Sequence, residues 1–138
     1  MTTQVDQFMA MMQFTSKQLQ LAAFYRLMEG IEKGVNEASE NVERSWNGRS
    51  WKGSDQEFGA LVANIQILII AAERLQAPDF LKEAHQVYTE GLRKYLEFVV
   101  HAKKGKPEDA DQRFRESSML INKGISLVNS VWSQLSGK

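Results

Sequence analysis

His85 and His101 are the only histidines in the chain, and an imidazole near carboxylates can hold a metal or move a proton. Di-iron four-helix proteins do this with inward-facing acids and a Glu-x-x-His pair on each of two helices. No Glu-x-x-His occurs here. Glu97 and His101 are four residues apart, but helical phase places both on the solvent side, where such a pair contributes a few tenths of a kcal/mol (about 0.2–0.5). His85 follows Ala84 on the flank of an apolar seam and reads as a partly buried structural histidine. An enzyme or cofactor site built on His85 and nearby carboxylates such as Glu83 is the alternative. The chain contains neither a Gly-x-Ser-x-Gly elbow nor a phosphate-binding Gly-x-x-x-x-Gly-Lys-Ser/Thr loop. Glu29, Glu32, Glu37, Glu40 and Glu43 mostly fall away from the seam of their helix and read as a solvated face rather than as paired catalytic acids.

Recognition chemistry concentrates in one segment. The loop RSWNGRSWKGSD, residues 44–55, holds two of the three tryptophans together with Arg44, Arg49 and Lys52. Trp46 and Trp51 can fold back and cap the open end of a bundle, burying large apolar area. The same loop can instead act outward, with indole faces for stacking and Arg49 and Lys52 for an anion, a membrane surface or an acidic patch on a partner. Trp46-Asn47-Gly48 and Trp51-Lys52-Gly53 each satisfy a W-x-G turn. In this turn, its distance from the start and the following Phe58, the chain resembles the small secreted WXG-type helical hairpins. That resemblance implies a dimeric, non-enzymatic protein exported by a dedicated secretion system. The chain departs from the pattern in the helical sequence after Pro78 and in lacking a Tyr-x-x-x-Asp/Glu export tail at its C-terminus.

The elements that must position these residues are helices, because nearly every segment carries a 3.6-residue apolar period and none alternates long enough for a strand. The first helix runs from about Gln4 to Arg44, with Phe24, Met28, Ile31, Val35, Ala38 and Val42 as its seam. Ser54 with Glu57 fits a capping box and opens the second, which ends near Gln76. Pro78 starts the third, whose inward face is Leu81, Ala84, Tyr88, Gly91, Tyr95, Val99 and Ala102. Lys103, Lys104 and Gly105 close it, and Lys106 and Pro107 begin the fourth, with a seam from Ala110 through Phe114, Ser117, Ile121, Gly124 and Val128 to Leu135. Short connections make neighbours antiparallel, so the expected fold is an all-α up-down four-helix bundle in one domain spanning residues 1–138.

At about 1.5 Å per residue the first helix is far longer than the second. Either it kinks near Gly30 and Gly34, or it is continuous and its free end pairs with another subunit. Phe8, Met9, Met11, Met12 and Phe14 cover more than one face of that end, which points to a homodimer with Phe8 and Met12 in the contact. Phe58–Ala72 is uncharged for 15 residues, shorter than the ~20 a membrane span requires, and reads as the most buried helix of the bundle.

The chain has 138 residues, 17 Lys and Arg against 17 Asp and Glu, and no Cys. Cysteine chemistry, disulfides and zinc-thiolate sites are thereby excluded. The zero net charge turns expectation away from nucleic acid and toward protein partners. That zero is organised locally: residues 55–78 carry a net −2 and residues 79–106 a net +2, an opposition that can help pair neighbouring helices. Cytoplasm is the expected compartment, with export without a cleaved signal as the alternative. The sequence thus predicts a non-enzymatic binding, scaffold or regulatory module that associates with itself or a protein partner and uses no cofactor or metal.

Overall fold

The computed structural model describes the backbone of residues 2–135 and the side chains of residues 16–135. Among the described residues the chain forms four helices packed on one another, with no strand. They are α1 (Thr2–Ser45), α2 (Asp55–Arg74), α3 (Lys82–Lys103) and α4 (Pro107–Leu135). The capping box at Ser54 is complete: its Oγ accepts from the Glu57 amide at 3.1 Å, and the Glu57 carboxylate accepts from the Ser54 amide at 3.3 Å. Pro78 does not open α3 directly. It precedes a single 3₁₀ turn, Asp79–Leu81, because Leu81 leaves helical geometry at φ −116°, ψ 4°, and α3 starts one residue later. Gly105 closes the α3–α4 connection at φ +72°, a left-handed conformation suited to glycine.

The seams of α1 and α3 are buried throughout, from Phe24 to Val42 and from Leu81 to Ala102. α3 and α4 form the tightest pair. The Ser117 hydroxyl donates to the Gly91 carbonyl at 2.8 Å, and a Cβ on Gly124 would lie 2.9–3.1 Å from the Cβ and backbone of Tyr88. The small seam residues therefore let two backbones approach closely. The α4 seam is less enclosed at Phe114, which is 43% exposed.

Of the two alternatives the sequence leaves for the first helix, the structure has the continuous one. α1 is one continuous helix through Gly30 and Gly34. Gly34 receives Leu68 of α2, whose Cδ2 would lie 2.5 Å from an added Cβ, whereas Gly30 faces open space. Near the far end of the bundle, Gln18 donates to the Leu135 carbonyl at 3.1 Å and Lys17 lies 5.9 Å from the centre of the Phe80 ring. Sixteen helical residues, Thr2–Lys17, precede Gln18, a length of about 24 Å. One sequence expectation changes: α2 is not the most buried helix. It buries Leu61, Ile65, Ile69 and Ala72, while α3 buries nine residues. Ile67 is 62% and Ile70 46% exposed. By length and composition alone α2, 20 residues long with an 18-residue stretch of mean hydropathy 1.2, is apolar enough to cross a membrane; 22% of that stretch is buried.

Candidate functional site

The α1–α2 loop is a tight reversal held by hydrogen bonds within itself. Asn47 Oδ1 accepts from the amides of Arg49 and Ser50, both at 2.9 Å, and Gly48 takes the positive φ of +93° that the turn requires. The Lys52 amide donates to the Ser45 carbonyl at 2.7 Å, bringing Trp46 and Trp51 opposite each other in an antiparallel bridge. Both indoles are half-buried against the core. Trp51 stands edge-on to Phe58 at 5.5 Å, and Gly53 leaves room for it, since a Cβ there would come within 3.0 Å of the indole nitrogen. Arg49 and Lys52 are exposed. The side chains of Phe8 and Met12 lie outside the described residues.

Trp46 lines a cavity of about 280 Å³ that Trp51 does not reach. The end of α1 contributes Ser39, Val42 and Glu43, α3 contributes Tyr95 and Phe98, and α4 contributes Pro107, Asp111 and Phe114. Three of the rings form a chain, with Tyr95 and Phe98 at 5.6 Å and Phe98 and Phe114 at 5.0 Å between centroids. The Tyr95 hydroxyl shares a 3.0 Å hydrogen bond with Ser39 Oγ. Burial raises the pKa of that hydroxyl, and the neighbouring Glu43 charge pushes the same way against the Ser39 bond. Asp111 also pairs with exposed Arg115 at 2.8 Å. The negative pole of α1 ends beside the cavity, and the positive pole of α4 begins there, answered by Glu108 and Asp109 in its first turn. Aromatic side chains and two carboxylates lining one cavity are the elements of a site for an organic cation.

The sequence singles out Trp46 but not its companions Glu43, Tyr95, Phe98, Asp111 and Phe114. They belong to three helices, so no spacing along the chain could have grouped them. Glu32 also differs from the solvated face expected for it. It is half-buried and accepts the Tyr88 hydroxyl at 2.5 Å, linking α1 to α3.

The histidines occupy structural surroundings. His85 Nε2 lies 2.6 Å from the Ala72 carbonyl, in the last turn of α2, and its ring meets Phe24 edge-on at 6.0 Å. Glu97 and His101 are half-buried, not on the open solvent face expected for them; Glu97 accepts from Arg113 Nε of α4 at 2.9 Å. Among the described residues no group of three His, Cys, Asp or Glu is placed to hold a metal ion. No known protein family, curated protein or solved structure matches this chain.

Proposed function

We propose that the protein is a non-catalytic binding module whose cavity beside Trp46 receives an alkylammonium group. The observation that carries this reading is the meeting of four aromatic side chains with Glu43 and Asp111 around one 280 Å³ cavity. A cation over an aromatic face gains about 0.5–1 kcal/mol when exposed and about 2 when desolvated, and the carboxylates add Coulomb attraction. The cavity is near the small end of the ~300–1,000 Å³ range of ligand pockets, so it suits one methylated ammonium or lysine head group. The His85 contact with a main-chain carbonyl supports a structural rather than a catalytic role for the chain's best-placed imidazole. Self-association is part of the same reading, and a surface for it is argued below.

Calorimetry with choline and with a trimethyllysine peptide tests the site. Millimolar to high-micromolar affinity is expected for at least one of them, weakened about tenfold in Glu43→Gln and in Asp111→Asn. Tighter binding of the peptide identifies a protein partner as the source of the cation, and tighter binding of choline a free amine. Absence of binding by both probes, or equal binding by the neutralised variants, contradicts the proposal.

A further inference from the structure

α2 carries two apolar stripes. One, from Leu61 to Ala72, faces the core. The other faces solvent: Gln56, Ala60, Ala63, Ile67, Ile70 and Arg74 are all exposed and follow one another at intervals of 4, 3, 4, 3 and 4 residues. That is the heptad spacing of a helix–helix seam. An outward face normally carries charge, yet no charged residue occurs from Phe58 to Ala72.

From these observations we infer that α2 pairs antiparallel with α2 of a second copy of this chain, about a two-fold axis level with Ile65. The stripe is graded, small at its N-terminal half and large at its C-terminal half. Antiparallel pairing about that axis sets Ile67 of each copy against Ala63 of the other and Ile70 against Ala60, so every knob meets a hole. On the flanks, Asn64 of each copy comes beside Asn64 of the other on one side of the seam, and Gln66 beside Gln66 on the other side. At the ends, Arg74 of each copy comes beside Gln56 and the acidic first turn, Asp55 and Glu57, of the other. Parallel pairing would instead set isoleucine on isoleucine, leave alanine facing alanine and bring like charges together at both ends. The sequence points to Phe8 and Met12 on α1 for self-association; the exposed seam of α2 is a different surface, and its pairing does not depend on the cavity.

One helix pair of this length falls near or below the ~1,200 Å² of the smaller stable interfaces, so a dimer dissociating in the micromolar range is expected. Sedimentation equilibrium of the full chain up to several hundred micromolar should give masses rising from 15.7 kDa toward twice that value. Ala63→Glu or Ile67→Lys alone should weaken the dimer at least tenfold. Combining them should restore it, because the register sets each new acid against a new base. Circular dichroism verifies that the variants keep their helicity. Phe8→Glu combined with Met12→Glu should leave the dimer unchanged. A 15.7 kDa particle at every concentration overturns the inference, as does a double α2 variant no better than the single ones, or dimer loss in the α1 variant. Partition of a monomer onto phosphatidylcholine vesicles through the Ile67 face overturns it in favour of a lipid surface.

Discussion

At the residue scale, the two tryptophans of the loop separate by what each one touches. Trp51 packs on Phe58 away from the cavity, and Trp46 forms part of the cavity wall. Trp51→Ala is therefore expected to lower stability by about 3 kcal/mol, near the low end for a buried tryptophan, without changing ligand affinity once the variant is folded. Trp46→Ala should weaken both, and chemical denaturation beside calorimetry distinguishes the two patterns. Tyr88 gives a pH-dependent prediction. Burial, with the Glu32 hydrogen bond and charge, holds its hydroxyl well above the ordinary tyrosine range. Below pH about 10 the group is protonated in both folded and unfolded chains and adds no slope. Above it the unfolded chain ionises first, so the native state binds more protons and this contribution to stability falls by about 1.4 kcal/mol per pH unit. Tyr88→Phe should cost about 1.5–3 kcal/mol at neutral pH through the lost charge-assisted bond, and the gap to the parent should narrow above pH 10 in denaturation curves. The sequence shows that Tyr88 is apolar-facing, but the carboxylate it meets lies 56 residues away on another helix.

At the scale of the elements, glycines mark where helices meet. Gly30→Ala meets open space and should stabilise the chain by about 1 kcal/mol, through helix propensity and a restricted unfolded state. Gly124→Ala drives a methyl against the backbone of Tyr88 and should cost about 1–3 kcal/mol, since α3 and α4 must separate. Thermal unfolding of the two variants should move the midpoint in opposite directions. The four helices, the capping box and the seams of α1 and α3 are legible because they express local periodicity and local hydrogen bonding, whereas the 3₁₀ turn that delays α3 past Pro78 is not. Nor is the second face of α2. An uncharged run reads as buried on all sides, and periodicity along one helix does not say whether its outer side meets its own bundle or another molecule. The acids of α1 show the same limit: Glu32 and Glu43 lie off that helix's own seam, yet α3 and α4 supply them with neighbours.

For the molecule as a whole, the zero net charge resolves into pairing between helices. Arg93 of α3 reaches Glu73 of α2 at 2.8 Å, and Lys103 reaches Asp55 at 2.8 Å, as the opposite local charges of these segments predict. Both contacts are solvent-facing, so they help select antiparallel partners more than they stabilise the fold. The core, the loop and the cavity share one arrangement: α1 and α4 bring their ends together where the chain reverses at Trp46, and α3 supplies the buried rings between them. On the proposed function, this arrangement selects charge. An NMR titration comparing choline with its uncharged carbon analogue, 3,3-dimethyl-1-butanol, tests it most directly. Choline is expected to shift the Trp46 indole resonance and to bind at least tenfold more tightly than the neutral alcohol. Equal affinity for the two, or shifts that leave Trp46 untouched, would contradict it.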